Sequence, residues 1–193
     1  MKNNNKKGFT LAELLIVVAI IGVLVAISIP IFNKQIEKSR EAYDIATMRQ
    51  AASLAVEYYY SGVVTENGTT STDLGFNNNS DTERRNAYGA YDPKSGKFVP
   101  SKNSLKAYGK GTKTDGGTYF YGGNSREAYS STQDYRDAVV MIAIYPAAKE
   151  PHICVFWKNN QGTYTGQNNS YVGGRYENKD DDPKYCIWIS LNG

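Results

Sequence analysis

The chain has few of the side chains on which most enzyme active sites depend. Its 193 residues include one histidine, His152, and two cysteines, Cys154 and Cys186. It contains no Gly-x-Ser-x-Gly elbow, no His-Glu-x-x-His helix and no phosphate-binding glycine loop. A lone histidine beside a proline at the start of a predicted strand is more often structural than catalytic. We therefore expect no enzymatic activity and no cofactor.

A second shortage concerns charge near the N-terminus. Residues 14–32 form a run of 19 residues without an ionisable side chain. As a helix this run would be about 28 Å long, which is close to the thickness of the hydrocarbon core of a bilayer. Glu13 stands at its entrance. A charge within a membrane segment costs about 2.5 kcal/mol or more at the centre and less near the edge, so Glu13 points to a function and to a partner.

The helical pattern continues beyond this apolar tract to about Tyr60. Residues 33–60 contain no glycine or proline and alternate acids with bases. Their apolar side chains recur near one face, at Ile36, Tyr43, Ala51, Leu54 and Tyr58. Gly62 supplies a stop, because glycine tolerates the left-handed conformation that ends helices. We predict one helix over residues 9–60, whose amphipathic second half carries a globular head.

The residues that open the apolar tract are similar to the N-terminus of type IV pilins. Lys-Lys-Gly at residues 6–8 matches the basic leader and the final glycine of a class III signal peptide. Phe-Thr-Leu-Ala-Glu at residues 9–13 matches the Phe-Thr-Leu-x-Glu start of mature pilins, where valine is more common than Ala12. The resemblance covers about the first 50 residues, and its features occur together and in order.

The resemblance implies how the N-terminus is processed. A prepilin peptidase would cleave between Gly8 and Phe9, and the new amino terminus of Phe9 would be methylated. The carboxylate of Glu13 would then meet the amine of Phe9 from the preceding subunit, as the tract leaves lipid for the filament core. A matched pair is far better than an isolated charge at low dielectric, so this pair would select the register of assembly. The alternative is that Glu13 only marks the membrane edge.

Removal of the leader, residues 1–8, would leave a chain without net charge. The leader holds three lysines and no acid, so the formal charge falls from +3 to zero, with 19 basic and 19 acidic residues. Overall charge therefore gives no reason to expect binding to nucleic acid or acidic lipid. Lysines before the tract and mixed charges after it place the leader in the cytoplasm and the remainder outside.

Two residues weaken the apolar half of the helix, residues 9–32. Pro30 cannot donate a hydrogen bond to the carbonyl of Ala26 and crowds that turn, so we expect a kink. Gly22 costs ~1 kcal/mol relative to alanine. A bent membrane helix accounts for both residues. The resemblance to pilins packed in filaments also implies that residues 22–30 can unwind.

The rest of the chain predicts an α+β fold. Residues 61–117 are polar and rich in glycine and asparagine, and are expected to form the variable αβ-loop of pilin-like folds, with a short helix near residues 101–108. Residues 118–193 hold β-branched and aromatic runs that predict an antiparallel sheet of about four strands, at residues 118–121, 138–145, 152–158 and 185–191. Helix and sheet should share one core, which makes residues 33–193 a single head.

The C-terminal region offers two further chemical features. Cys154 and Cys186 lie in two predicted strands, and export to an oxidising compartment permits a disulfide if those strands are neighbours; buried thiols are the alternative. Asp180, Asp181 and Asp182 could ligate calcium through their oxygens, as in some pilin relatives. Without the spacing of an EF-hand, a short acidic run is more often a solvated loop.

The function implied by the resemblance is structural. The chain would be a major pilin, stored in the membrane and polymerised by a pilus assembly platform into an extracellular filament of identical subunits. Such filaments serve motility, adhesion or related surface functions. A pseudopilin of a type II secretion or competence system shares these N-terminal features and forms short pistons. A membrane-tethered binding module, in which the tract is only an anchor, is a third interpretation.

Overall fold

The architecture is one long helix followed by a strand-rich region. A computed structural model describes residues 8–111, 135–136, 138–159, 171–172 and 186–192. Helix α1 spans Leu11–Tyr60, close to the predicted residues 9–60. The strands within the described residues are β1 (Val64–Thr65), β2 (Gly68–Thr69), β3 (Gly75–Asn77), β4 (Asn86–Asp92), β5 (Lys97–Val99), β6 (Ala138–Tyr145), β7 (His152–Asn159), β8 (Tyr171–Val172) and β9 (Cys186–Ser190). The chain separates into two compact units, Met1–Ser39 and Arg40–Gly193, and we call the second unit the head.

The first unit contains the apolar half of α1, which exposes its side chains on every side. The large apolar residues between Phe9 and Phe32 are 48% to 92% exposed. The helix runs through Gly22 and Pro30 without interruption, and the hydroxyl of Ser28 donates to the carbonyl of Leu24 at 2.7 Å. The kink and the unwinding of residues 22–30 stay predictions.

The head is built on a seven-stranded antiparallel sheet, beside a two-stranded ribbon of β1 and β2. The main order is β3-β4-β6-β7-β8, with β5 also paired to β4 and β9 also paired to β7. Ala90 of β4 pairs with Met141 of β6 on one side and with Val99 of β5 on the other. Consequently β3 and β5 share one edge of the sheet, and β8 and β9 share the other. Within the described residues the sheet is five strands wide, against about four predicted.

The C-terminal strands agree with the prediction, and the region predicted as a loop differs from it. Strands β6, β7 and β9 lie where the sequence places them, while the predicted strand 118–121 lies outside the described residues. Residues 61–117, predicted as a loop, contribute β1 to β5. The central strand of this region, β4, is rich in alanine and glycine, so its own β-propensity is low and pairing with β6 decides its conformation. The predicted short helix is a 3-10 turn at Lys102–Ser104.

The core of the head lies between α1 and the inner face of the sheet. The helix buries mostly small side chains, which let its backbone approach the strands; its buried residues are Asp44, Thr47, Met48, Ala51, Ala52 and Ala55. The strands of the sheet supply the large side chains of the core, and Trp157, Ile142 and Phe98 are fully buried. The predicted helix face is therefore only partly correct, because Tyr43 and Ile36 are exposed.

Asp44 is the one charged side chain buried within the described part of the head. Its carboxylate accepts hydrogen bonds from the backbone N–H of Lys110, at 3.0 and 3.1 Å to its two oxygens, and of Gly111, at 2.8 Å. The ammonium of Lys110 lies over the ring of Tyr43, 3.8 Å from its centroid. Charge-assisted bonds of this kind are stronger than neutral ones, so Asp44 ties residues 110–111 to α1.

Tyr108 fills the place where β4 separates from β6. The last pair of that ladder is Ala90 with Met141. Beyond it the hydroxyl of Tyr108 donates to the carbonyl of Tyr91 at 2.6 Å and accepts from the N–H of Val140 at 2.8 Å. Burial raises the pKa of Tyr108, so the hydroxyl stays neutral and serves both strands.

Candidate assembly site at the start of the helix

Glu13 closes a capping box at the start of α1. The helix begins at Leu11, which makes Thr10 the N-cap residue and Glu13 the third helical residue. One carboxylate oxygen of Glu13 accepts from both the N–H and the hydroxyl of Thr10 at 2.8 Å. The N–H of Glu13 donates back to the hydroxyl of Thr10 at 3.3 Å. These reciprocal bonds satisfy polar groups that a helix start leaves without partners.

The capping box gives Glu13 a local role that our sequence analysis missed. Thr-x-x-Glu before an apolar run is a recognisable signature of a helix start, and Thr10 and Glu13 carry it. A carboxylate in the first turn is also favoured by the positive end of the helix dipole. The site therefore holds its acid in a fixed orientation before any second molecule arrives.

The predicted cleavage point lies immediately outside the helix. Gly8, Phe9 and Thr10 are exposed and are not helical, and the side chain of Phe9 is 92% exposed. Apart from its two chain neighbours, a Cβ added at Gly8 would meet no atom of the described residues within 4 Å. Cleavage between Gly8 and Phe9 stays a prediction. It would create an amine on Phe9, one residue before Thr10, whose N–H donates to Glu13.

The apolar half of α1 has the chemistry of a membrane segment. Among the described residues, α1 is the one helix long and apolar enough to cross a bilayer, as judged by length and composition, and none of its most apolar 18-residue stretch is buried in the protein. It stands near the N-terminus of the chain. Glu13 lies at the start of this helix, as the sequence predicts.

The two cysteines lie on neighbouring strands. Cys154 of β7 is opposite Trp188, and Cys186 of β9 is opposite Phe156. The cysteines are therefore diagonal neighbours on one face of the sheet, and both are buried. Diagonal positions lie about 7–8 Å apart, and beyond about 7 Å between Cα atoms a disulfide requires backbone movement, so the disulfide stays a prediction.

The remaining candidates for chemistry form no further site within the described residues. The single histidine, His152, stacks between the rings of Tyr145 and Trp188, with centroids 4.7 and 5.5 Å away, and its Nδ1 lies 2.6 Å from the carbonyl oxygen of Glu150. The proposed calcium ligands Asp180, Asp181 and Asp182 lie outside the described residues. Within the described ranges no group of three or more His, Cys, Asp or Glu side chains could hold a metal ion.

Comparison with known proteins finds a motif at the N-terminus and several relatives. Residues 3–29 match the family model described as the prokaryotic N-terminal methylation motif. Fimbrial protein Q of Moraxella bovis is 31% identical over 108 residues, which is 54% of this chain and 69% of that protein. The type IV major alpha-pilin of the same organism is 40% identical over 73 residues, 36% of this chain and 46% of that pilin.

A third relative extends the likeness to another organism. The type IV major fimbrial protein FimA of Dichelobacter nodosus is 54% identical over 41 residues, 21% of this chain and 26% of that protein. The chain thus spans about two thirds of fimbrial protein Q and less than half of the other two relatives. No solved structure matches it significantly. The methylation motif, the capped apolar helix, the antiparallel head and the extended match to fimbrial protein Q together show that the chain belongs to the type IV pilin family.

Proposed function

We propose that this pilin is stored in the membrane by the apolar half of α1 and polymerises, after processing, into an extracellular type IV pilus. The observation that carries the proposal is the position of Glu13. Its carboxylate is held by Thr10 at the start of a helix whose next 19 residues carry no charge. Such a helix needs apolar surroundings, first lipid and then other subunits, and its one acid needs a cation in either place.

Processing supplies that cation. Cleavage between Gly8 and Phe9 by a prepilin peptidase converts a neutral peptide nitrogen into a terminal amine, which remains a base after methylation. The exposed, non-helical geometry of Gly8 and Phe9 supports access by the peptidase. Removal of residues 1–8 also takes away three lysines that would otherwise have to enter the filament core.

Pairing then fixes the register between subunits. As a subunit leaves the membrane, the carboxylate of Glu13 meets the amine of Phe9 from the neighbouring copy. The capping box supports this step because one carboxylate oxygen of Glu13 is already bonded to Thr10 and orients the group before the amine arrives. Loss of one partner from a buried ion pair costs about 3–5 kcal/mol, so a subunit added in the wrong register would be rejected.

Substitutions at Glu13 and Thr10 test this role, because they separate charge from capping. Glu13→Gln keeps a side chain able to close a capping box but removes the charge, whereas Thr10→Val removes the capping hydroxyl and leaves the charge. We expect Glu13→Gln and Glu13→Ala to remain in the membrane and to reduce filament yield at least a hundredfold. Thr10→Val should still form filaments. Electron microscopy and quantification of sheared pili provide the measurement.

The outcome of the glutamine variant decides between the two roles of Glu13. Normal pili from Glu13→Gln would mean that capping, and not charge, is what assembly requires. Loss of the protein from the membrane fraction in any variant would show a defect before assembly, so membrane content is measured in parallel.

Gly8 tests the processing step separately. Because a Cβ at Gly8 would touch none of the described residues beyond its chain neighbours, we expect Gly8→Leu to leave the fold unchanged and to obstruct only the peptidase. We expect a precursor that keeps residues 1–8 and forms no pili. Intact-mass measurement distinguishes the two lengths. A mass that starts at Phe9 in Gly8→Leu would contradict the proposed cleavage specificity. Gly22→Ala, a glycine substitution away from the cleavage point, is the control and should be processed to a chain that starts at Phe9.

The two other interpretations are not favoured by the relatives, which are named fimbrial proteins and major pilins. Abundance of this chain in long sheared filaments separates a pilin from a pseudopilin that forms short pistons. A tethered binding module would keep its activity when an unrelated membrane helix replaces residues 9–32, whereas a pilin would lose its filaments.

A further inference from the structure

A groove of about 550 Å³ opens on the head between α1 and the edge strand β9. Its helix residues recur at intervals of three, one and three, and therefore lie on one face of α1. Its two strand residues are two positions apart and lie on the inner face of β9. The groove is lined by Arg49, Ala52, Ser53, Val56, Ile187 and Ile189.

Small side chains on the helix leave this groove unfilled. Ala52 and Ser53 occupy the turn of α1 next to β9, and neither reaches far from the backbone. As a result Val56, Ile187 and Ile189 are only partly buried, although comparable residues of β6 and β7 are fully buried. The head thus leaves an elongated apolar surface, with Arg49 as its single charged residue.

We infer that this groove seats the apolar half of α1 from another copy of the chain in the filament. The inference rests on the proposed function, because polymerisation is what brings copies together. The apolar half of α1 is the element of this chain that matches the groove. Its large side chains are 48% to 92% exposed, and once out of lipid they need an apolar partner.

Charge favours this segment over the second half of the same helix. Residues 14–32 carry no charge at all, whereas residues 34–41 bring three cations, Lys34, Lys38 and Arg40, and two acids, Glu37 and Glu41. Burial of those charges in an apolar groove would cost free energy. A strip of branched apolar side chains on a helix also suits a groove with one helical and one strand wall, as in other helix-in-groove interfaces. Each head would then cover part of the apolar helix of another subunit.

Photo-crosslinking in intact filaments tests the inference. A benzophenone amino acid is placed at position 53, where the native serine is exposed within the groove, and at Ser95 in the exposed turn between β4 and β5 as a control. Sheared filaments are irradiated, and the dimer band is digested with trypsin. No lysine or arginine occurs between residues 9 and 33, so the apolar half of the processed chain is released as one peptide, residues 9–34.

The expected result is an adduct between the peptide that carries position 53 and peptide 9–34, in dimers from filaments and absent from detergent-solubilised membrane protein. The probe at position 95 should give at least tenfold less of this adduct. Filaments in which position 53 labels a head peptide, labels another protein or gives no dimer would overturn the groove assignment while leaving the proposed function intact. Failure of the unmodified chain to form filaments would instead contradict the proposed function.

A groove-filling substitution keeps the inference testable if the probe itself prevents assembly. Ser53→Trp should occupy the groove and reduce pilus yield at least tenfold, with unchanged membrane content and unchanged thermal unfolding of the head. Ser53→Ala is the matched control and should assemble normally. Normal filaments from Ser53→Trp would overturn the inference.

Discussion

The two units of this pilin use the same apolar residue types in opposite environments. In the apolar half of α1, Leu24 is 59% and Ile27 is 58% exposed, whereas Ile142 and Ile144 in the sheet of the head are fully buried. Backbone hydrogen bonds and a capped start hold the first unit, but it has no interior of its own. The head has a core formed by helix and sheet. Apolar content alone therefore does not identify a core. A core forms where a second layer of the structure covers the apolar side chains.

The acids of the two units extend this comparison. Glu13 and Asp44 each accept backbone N–H groups, and each lies on α1. Glu13 is exposed and bonds only one turn away in sequence, so its environment changes when lipid or another subunit surrounds it. Asp44 is 4% exposed and bonds residues 66 and 67 positions away, so its environment is fixed by folding. One acid stays exposed, as the proposed assembly contact requires, and the other is used within the fold.

The sharpest test of this contrast truncates one apolar residue in each unit. Ile142→Ala should lower the free energy of unfolding of the head by about 2–5 kcal/mol, because it removes buried methyl groups and leaves a cavity. Leu24→Ala should leave head stability within about 0.5 kcal/mol of the original, because its side chain contributes to no core. Thermal unfolding of the full chain in detergent, followed by near-ultraviolet circular dichroism, measures both.

The effect of the Leu24 variant should appear in assembly, measured as pilus yield, and not in head stability. Leu24→Ala removes apolar contact area that filament neighbours would cover, and we expect pilus yield to fall although the head is intact. A loss of head stability in Leu24→Ala comparable to that in Ile142→Ala would refute the division of roles between the two units.

The sequence predicts the fold where local pattern and environment agree. β6 and β7 are continuous apolar runs because both faces of these strands are covered, and their bounds follow directly from composition. In contrast, β4 reads Asn-Ala-Tyr-Gly-Ala-Tyr-Asp. Its small residues are needed where Leu74 packs closely on Gly89, and they conceal a strand that is formed by pairing on both sides. Such a strand has little local signature.

The candidate site was predictable in its residues and not in its full geometry. Glu13, Gly8 and Phe9 stand out because of their order before an uncharged run. The capping bond between Thr10 and Glu13 also has a sequence signature, which is Thr-x-x-Glu before an apolar run. The groove at Ser53 could not be predicted, since it depends on how far α1 lies from β9, and neither spacing nor composition encodes that distance.

Asp44 offers the second test, with a smaller effect. Asp44→Ala removes the acceptor for the backbone N–H groups of Lys110 and Gly111, and unpaired buried donors each cost about 1–3 kcal/mol. We expect the head to lose about 2–3 kcal/mol, and Asp44→Asn to lose less because it keeps one acceptor oxygen. Urea unfolding measures the difference. The slope of the unfolding free energy against urea concentration should be the same in each variant, as a check that the unfolded states are comparable. Stability unchanged in Asp44→Ala would show that residues 110–111 do not depend on α1.

Asp92 gives the smallest expected effect and a pH dependence of defined sign. In the turn between β4 and β5 its carboxylate accepts from the N–H of Lys94 at 3.0 Å and the hydroxyl of Ser95 at 2.8 Å, and the bond from Lys94 is the main reason that its pKa is lowered. Because the folded state favours the charged form, the carboxylate stabilises the head above the ordinary carboxyl range and loses this effect as the pH falls through its lowered pKa.

The measurement compares the original chain with Asp92→Ala across that range. At pH 7 the variant should be less stable by about 1 kcal/mol or less, since one exposed side-chain acceptor is lost. The gap should narrow as the pH falls below the ordinary carboxyl range, about pH 4, and the carboxylate of the original chain becomes protonated. Glu13 would contribute nothing to this titration of head stability, because it belongs to the other unit. A gap that widens on acidification would reverse the sign expected from the hydrogen bonds and would place the stabilising charge elsewhere in the head.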